Sequence, residues 1–286
     1  MNPINPTINK PTKAPFDKYL LKKPLKTYNI MEKQQRVILI TGASRGLGAE
    51  TAKQFAAQGD AVCVNYFQSR ENAEQVVAEI REYGGEAFAC RADVTSREET
   101  EAMVDAIVQR YGRLDVIVNN ALPSYRFDPA APYTSIETVT WDHFQHQIDG
   151  ILKGALHVIQ SALPVMKAQE VSHIINISTN LVYNPVVTYY DYTTAKAGLM
   201  GLTRSLATEL GQYGIRVNLL AGGLLRTTDA SSSTTEEVFD FVAAATPLRK
   251  VVTVEQFAAA VRLFASDLSN SMTGQSISVD GGLTMP

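Results

Sequence analysis

The residues of this chain whose types and spacing most directly suggest chemistry are Tyr192 and Lys196, four positions apart. On a helix, this spacing puts both side chains on one face, one turn apart. An ammonium group held near a phenol favours the phenolate and lowers the pKa of the phenol from its ordinary value of about 10. The pair therefore predicts proton exchange with a substrate oxygen. Because Tyr19 and Lys23 share the spacing, a helical aromatic residue beside a surface lysine remains the alternative.

A second candidate is the segment Thr41–Gly48, which contains three glycines between an apolar run and a helical pattern. Glycines at such a turn allow a tight bend and bring backbone N–H groups and a helix N-terminus against a pyrophosphate. The position between a buried strand and a helix favours a dinucleotide site over a glycine turn without a ligand.

These candidates require a scaffold, and from residue 36 the chain alternates strand and helix patterns. Continuous β-branched runs such as Val37–Ile40 are typical of strands buried on both faces. Strands separated by helix-length connections indicate right-handed crossovers and a parallel sheet. The expected fold class is α/β, a single-domain Rossmann-type doubly wound parallel sheet with helices on both faces. The expected strands are 37–40, 61–64, 86–91, 114–118, 173–177, 215–220 and 276–279, and a long helix is expected over 138–167.

The chain divides into two parts of unlike composition. Residues 1–30 contain six lysines, one acidic residue (Asp17) and five of the twelve prolines, so the chain's net charge of −3 becomes −8 over residues 31–286. This predicts a disordered basic tail over 1–34 and a nucleotide-binding domain over 35–286. Met31 directly precedes the first strand, so a natural start there, with residues 1–30 not native, is a further hypothesis.

Composition excludes several functional classes. The chain has 286 residues, 45% of them hydrophobic and 19% charged, and it contains no run of the ~18 uncharged apolar residues that a membrane helix needs. The acidic balance gives no basis for gripping nucleic acid. Cys63 and Cys90 lie in apolar runs typical of reduced, buried thiols, which favours a cytoplasmic protein. His143 and His146 have a possible metal spacing, but no further ligands join them, so no metal site is expected.

Taken in order, the motifs resemble those of the short-chain dehydrogenase/reductase family over residues 35–286. The likeness is closest to the 3-oxoacyl-(acyl-carrier-protein) reductase branch. The matching segments are Thr41–Gly48, Ala92–Val94, Asn119–Ala121, Asn176–Thr179, Tyr192–Lys196 and Thr273–Gly282.

The resemblance implies roles for three catalytic residues. Tyr192 matches the general acid that protonates a carbonyl oxygen as hydride arrives from a nicotinamide, and Lys196 matches the residue that holds the ribose and lowers the pKa of the tyrosine. The family's serine position is occupied by Thr179, whose hydroxyl can still hydrogen-bond a carbonyl oxygen. Ser178 is the fallback for that role.

The expected cofactor is NADP(H) rather than NAD(H). No carboxylate precedes Glu71 at the end of the second strand to bind a ribose 2′-hydroxyl, while Arg45, with Ser69 or Arg70, can bind a 2′-phosphate. The resemblance places the other contacts along the motifs. The full expected cofactor set is Gly42, Ser44, Arg45, Gly46, Leu47, Gly48, Ser69, Arg70, Asp93, Val94, Asn119, Asn120, Ala121, Tyr192, Lys196, Leu225 and Thr227.

The chain also departs from the family pattern. Leu122 stands where the family has glycine, which puts bulk near the cofactor, and Gly222 replaces the proline after the sixth strand. Ile151 stands where the family has the asparagine that relays protons, so water or backbone must connect Lys196 to solvent, and slower turnover is expected. Glu170 and Tyr213 replace arginines that dock an acidic carrier protein, which argues against a carrier-linked substrate.

The sequence thus predicts an NADPH-dependent oxidoreductase that reduces a ketone, of 3-oxoacyl or another type, to an alcohol. Aromatic residues in the segments 123–133 and 224–245 favour a bulky or apolar small-molecule substrate. The alternative is a non-catalytic dinucleotide-binding scaffold that keeps the fold. By resemblance, a homo-oligomer, dimer or tetramer, is expected, with neither nucleic acid nor membrane as a partner.

Overall fold

The computed structural model describes residues 34–123, 125, 131, 135–228, 231, 232 and 234–286. The predicted tail therefore lies outside the described residues apart from Gln34, as does most of the segment 124–134. Residues 35–286 form one compact unit. No helix in the described part of the chain is long and apolar enough to span a membrane.

A seven-stranded sheet forms the centre of this unit, and every pair of neighbouring strands is parallel, in the order β3-β2-β1-β4-β5-β6-β9. The strand order reverses between β1 and β4, so a crevice opens at the carboxyl ends of these two strands, where doubly wound folds bind ligands. The strands are β1 (Val37–Ile40), β2 (Ala61–Tyr66), β3 (Glu86–Arg91), β4 (Val116–Asn119), β5 (Ser172–Thr179), β6 (Ile215–Gly222) and β9 (Ser276–Val279).

Helices cover both faces of the sheet, so the predicted fold class is confirmed. One apolar cluster packs α1, α2 and α8 against one face, and a second packs α3, α5 and α6 against the other. Because both faces are covered, the central strands are buried along their whole length, which explains their continuous apolar runs. The helices are α1 (Gly46–Ala56), α2 (Arg70–Glu82), α3 (Arg97–Tyr111), α4 (Trp141–Gln147), α5 (Gly154–Lys167), α6 (Tyr190–Leu210), α7 (Glu236–Ala245) and α8 (Val254–Phe264).

Several details differ from the sequence-based expectation, among them the bounds of β2, β4, β5 and β6. The long helix begins at Trp141 rather than 138, and a π-helical segment, Ile148–Lys153, connects α4 to α5. Within it Gly150 lies against Pro123, so closely that a Cβ there would be 2.3 Å from the proline ring. A two-residue ladder, β7 (Leu225–Arg226) with β8 (Val252–Thr253), lies outside the main sheet. Two-residue strands have no periodicity that a sequence pattern can show.

Candidate active site

Tyr192 and Lys196 lie in the first two turns of α6, on the face that packs against β5 and β6. Both side chains are buried, with Tyr192 8% and Lys196 4% exposed, and Ala195 and Leu199 on the same face are buried with them. The helix periodicity thus turns a charged and a hydroxylated side chain inward. Burying an ammonium group is unfavourable, so its position requires a compensating partner.

That partner is a backbone carbonyl of β5. Lys196 Nζ donates to the Ile177 oxygen at 2.7 Å and lies 5.9 Å from the centre of the Tyr192 ring. Burial lowers the pKa of Lys196 to about 8. Near neutral pH the lysine is therefore charged, but it loses its proton far more readily than a lysine in water.

The pKa of Tyr192 is higher than expected from the sequence, which predicted that Lys196 lowers it. Burial raises the pKa of Tyr192 to about 12, and a hydrogen bond with the Thr179 side chain opposes this shift. Desolvation of the buried phenol is the dominant cause, while the ammonium group of Lys196 bonds the Ile177 oxygen. In this structure Tyr192 is consequently a protonated phenol throughout the physiological pH range.

The side chain that contacts Tyr192 from the end of β5 is Thr179. Its neighbour Ser178 has a different partner. The Thr179 hydroxyl bonds Tyr192 and also accepts the Leu181 N–H at 3.3 Å. Ser178 Oγ instead donates to the backbone oxygen of Lys196 at 3.2 Å, which ties α6 to β5.

The glycine turn after β1 is held in place by Asn120 and Thr41. Asn120 Nδ2 donates to the oxygens of Thr41 and Gly42 at 2.9 and 3.1 Å, while Thr41 Oγ1 accepts the N–H groups of Asn120 and Ala121 at 3.0 Å each. Gly48 is required by close approach, because a Cβ there would lie 2.5 Å from the Gly42 oxygen. The turn is therefore fixed before any ligand arrives.

Two features of this crevice fit a dinucleotide. Asn119 is buried, and its Oδ1 has no hydrogen-bond partner among the described residues, although its Nδ2 donates to Asn176 Oδ1 at 2.8 Å. Asn119 and Lys196 line one small cavity of about 10 Å³ together with Thr41, so polar groups of two strand ends and of α6 meet there. At Gly46, where φ is +54°, a Cβ would have Thr228 Cβ as its nearest neighbour at 3.8 Å, so there is an opening above the helix N-terminus. The residues present therefore fit a nicotinamide dinucleotide.

Of the remaining predicted cofactor residues, some line the crevice or a groove beside it and others do not. Ser44 and Arg45 line a groove of about 300 Å³ between α1 and α2. Ser69 and Arg70, which were expected to support Arg45 in binding a 2′-phosphate, are not among the residues that line this groove. The groove is lined instead by Asn72 and Gln75 of α2. Both residues lie on the helix, beyond the strand end that the motif covers. Leu47 is half-buried beside the apolar cluster of α1.

Asp93 follows β3, and its Oδ1 accepts the N–H and the hydroxyl of Thr95, both at 2.8 Å. Val94 lines the cavity that Lys196 also lines. Leu225, in β7, is half-buried and Thr227 is exposed.

The departures from the family pattern have distinct surroundings. Ile151 is 3% exposed and lines the cavity beside Lys196, so an apolar side chain occupies that wall. Leu122 is 37% exposed. A Cβ at Gly222, which stands where the family has proline, would lie 3.0 Å from Phe257 Cε2, so the space there is tight.

Sequence reasoning named Asn119 and Asn176 but missed Thr203, which bonds Asn176, and it missed the packing of aromatic rings around Tyr192. A buried chain runs from Asn119 through Asn176 to Thr203, where Asn176 Nδ2 donates to Thr203 Oγ1 at 2.9 Å. A polar residue inside an otherwise apolar strand was the available signal. Around Tyr192, the aromatic side chains of Tyr125 and Tyr189 form a cluster that no local pattern connects.

No three His, Cys, Asp or Glu side chains gather as metal ligands within the part of the chain that the structure describes. His143 instead accepts the backbone N–H of Thr140 at 3.0 Å and caps α4. Cys63 and Cys90 are free thiols.

Comparison with known proteins assigns this geometry to a class. The family profile described as enoyl-(acyl carrier protein) reductase matches residues 42–284. The chain belongs to the short-chain dehydrogenase/reductase family, as the sequence motifs predicted. The fold is similar to that of a short-chain dehydrogenase/reductase from Burkholderia xenovorans, with a TM-score of 0.78 and 26% sequence identity. The match covers 88% of this chain and 99% of the Burkholderia chain. A doubly substituted mutant of a short-chain dehydrogenase/reductase from Serratia marcescens is 27% identical to this chain and gives the same TM-score, 0.78.

Sequence relatives narrow the class. The 3-oxoacyl-(acyl-carrier-protein) reductase FabG of Staphylococcus aureus is 38% identical over 255 residues, which cover 88% of this chain and 100% of the relative. A 3-oxoacyl-(acyl-carrier-protein) reductase from Synechocystis is 35% identical over 253 residues, 87% of this chain and 97% of the relative. The chain is thus an NAD(P)-dependent oxidoreductase of the 3-oxoacyl reductase-like type.

Proposed function

We propose that this protein reduces a 3-oxoacyl-type ketone to the corresponding alcohol, with NADPH as the hydride donor and Tyr192 as the general acid. The observation that supports the proposal most strongly is the buried Thr179–Tyr192 hydrogen bond beside Lys196, at the carboxyl ends of the strands. Two hydroxyl groups that bond each other are placed to receive one carbonyl oxygen between them. The similarity to 3-oxoacyl reductases supports the substrate class.

In this mechanism, a bound nicotinamide dinucleotide supplies the hydride. Thr179 donates a hydrogen bond to the substrate oxygen and orients the carbonyl. Tyr192 gives its proton to the oxygen as negative charge develops there. Because burial keeps Tyr192 protonated up to a pKa of about 12, the free protein is poised for reduction rather than for alcohol oxidation, which requires a base.

Lys196 has two tasks in the proposal. Its ammonium group stabilises the phenolate that Tyr192 leaves behind, and it binds ribose hydroxyls together with Asn119, whose buried Oδ1 has no hydrogen-bond partner among the described residues. Ile151 beside them offers no polar side chain, so reprotonation proceeds through water or backbone groups. We accordingly expect slower turnover than in relatives with an asparagine at this position.

The preference for NADPH rests on Arg45. Its guanidinium belongs to an exposed side chain at the start of α1 and lines the groove with Ser44. No carboxylate stands at the end of β2, where one would repel a 2′-phosphate. A cytoplasmic homo-oligomer remains a prediction that rests on resemblance and composition.

The test follows NADPH oxidation with a panel of 3-oxoacyl thioesters on coenzyme A and on acyl carrier protein, with free diketones and quinones alongside. Reduction of a 3-oxoacyl thioester that falls by roughly 10²–10⁴-fold in Tyr192→Phe supports the proposal. Because Glu170 and Tyr213 cannot pair with an acidic carrier as arginines do, the coenzyme A thioester should not be inferior to the carrier-bound one. Cofactor binding without turnover of any compound would indicate a dinucleotide-binding scaffold instead.

A further inference from the structure

Tyr125, from the connection between β4 and α4, covers the ring of the proposed general acid. The two rings are stacked, with centroids 5.4 Å apart and an interplanar angle of 24°. Tyr125 also meets Tyr189 edge-on at 6.0 Å, with an angle of 88°. Offset stacking and edge-to-face contacts are the favourable arrangements of aromatic pairs. Tyr125 is thus held in a defined orientation against Tyr192.

The hydroxyl of Tyr125 is fixed by Asp191, the residue directly before Tyr192. Tyr125 OH donates to Asp191 Oδ1 at 3.0 Å, across 66 residues of sequence. Asp191 is 2% exposed and lies in the first turn of α6, where the helix dipole favours a carboxylate. The bond therefore ties the Tyr125 ring to the helix turn that also carries Tyr192.

We propose that Tyr125 and Asp191 form a positioning pair that clamps the ring of Tyr192 in its reactive orientation and keeps water from it. This inference rests on the proposed role of Tyr192 as the general acid. Thr179 fixes the hydroxyl end of Tyr192, and the pair fixes the face of its ring. In this role both members act on the position of the Tyr192 ring and not on the substrate. A small displacement of a proton donor is sufficient to lower a rate substantially, which makes such a clamp effective.

The two parts of the pair can be separated by substitution. Tyr125→Phe removes one oxygen and keeps the stacked ring, whereas Tyr125→Ala removes both. Asp191→Ala removes the acceptor, and Asp191→Asn retains an oxygen that can accept from Tyr125. Tyr83→Phe is the matched control, because Tyr83 is 89% exposed at the end of α2.

In the kinetic experiment, Tyr125→Phe should lower kcat roughly tenfold with an unchanged KM for NADPH. Asp191→Ala should have the same effect, and the double variant should be no slower than either, because both remove one interaction. Asp191→Asn should restore most of the rate. Additive losses, or a kcat for Tyr125→Phe equal to that of Tyr83→Phe, would overturn the pair while leaving the proposed function intact.

A second readout does not depend on turnover. The tyrosinate absorbance of Tyr192, obtained as the difference from the matching Tyr192→Phe protein, should titrate at lower pH in Tyr125→Ala than in the wild type. Tyr125→Phe should titrate like the wild type, since the ring still excludes water. The residues facing Tyr192, namely Thr179, Tyr189, Asp191 and Lys196, are unchanged in these proteins. An unshifted titration in folded Tyr125→Ala contradicts the clamp, whether or not a substrate has been found.

Discussion

The two ends of the parallel sheet treat buried polar groups in opposite ways. At the amino ends of the strands, Arg36 donates to both oxygens of Asp60 at 2.9 and 2.7 Å, and Arg113 donates to both oxygens of Asp115 at 2.9 and 2.6 Å. Asp115 also accepts the Val37 N–H at 2.8 Å. Each of these buried carboxylates is matched by a guanidinium, an arrangement that satisfies charge and hydrogen bonding together.

At the carboxyl ends, the buried groups are left available. Asn119 Oδ1 lacks a partner among the described residues, burial lowers the pKa of Lys196 to about 8, and burial raises the pKa of Tyr192 to about 12. Groups with shifted pKa values and open hydrogen-bonding capacity concentrate at functional sites. The difference indicates that the amino end maintains the fold and the carboxyl end is reserved for ligands and chemistry.

The largest expected effect concerns Lys196. Lys196→Met should lower kcat roughly 10³-fold, because the phenolate of Tyr192 loses its cation. It should also stabilise the fold by about 1–3 kcal/mol at pH 7, since a buried charge is removed. The folded pKa lies below that of the unfolded chain, so wild-type stability rises between pH 8 and about 10.5, and the advantage of the variant should shrink over that range.

Urea unfolding across this pH range measures the stability difference, and NADPH oxidation measures the rate. Lys250→Met, at an exposed lysine, is the control and should change neither. A variant that is less stable than the wild type would contradict the interpretation that the carboxyl end sacrifices stability for chemistry.

The second effect belongs to the amino end. Asp115→Asn should destabilise the fold by about 3 kcal/mol, because Arg113 and the Val37 N–H lose their charged acceptor in a buried site. Unfolding in urea at neutral pH gives this value, with the exposed Asp105→Asn as control. The kcat of the folded variant should equal that of the wild type. A lower kcat would show that the two ends are coupled.

His173 is the exception at the amino end and therefore sharpens the comparison. Burial, with nearby Arg216 and Arg36, lowers the pKa of His173 to about 4, and its Nδ1 has no partner among the described residues. The neutral form is the one that the fold accommodates. Stability is thus fully present above pH 6.5 and should be lost as pH falls toward 4, by about 2–3 kcal/mol.

The measurement compares unfolding free energies of the wild type and His173→Gln between pH 7 and 4. The variant should lose less stability on acidification, whereas His146→Gln, at an exposed position, should follow the wild type. Equal pH slopes for all three proteins would contradict the prediction.

The smallest effect is expected at Arg45, because its side chain is exposed and water screens its charge. Arg45→Ala should raise the KM for NADPH roughly tenfold and leave that for NADH nearly unchanged. Arg70→Ala measures the separate contribution of Arg70 to NADPH binding. Arg70 begins α2 and is not among the residues that line the groove. An equal rise in KM for NADPH and NADH would contradict the proposal that Arg45 selects NADPH.

The comparison also shows why some features were predictable. Strands β1, β3 and β9 follow from local periodicity, and their predicted boundaries agree with the structure. Strand β5 was expected over 173–177 and continues to Thr179, because its polar last residues are buried by α6 instead of being solvated. The π-helical segment was not predictable, since it depends on how Pro123 packs on Gly150.

The sequence by itself determined the family, the order of elements, the glycine turn and the spacing that puts Tyr192 and Lys196 on one helix face, because these depend on neighbouring residues. Only the tertiary structure decided that Thr179 bonds the phenol and that Lys196 bonds the Ile177 oxygen. It also decided that Tyr125 stacks on Tyr192 and bonds Asp191, although 66 residues separate Tyr125 from Asp191 in the sequence. It also decided the pKa of Tyr192, since desolvation depends on every element packed around the ring and outweighs the effect expected from one nearby lysine.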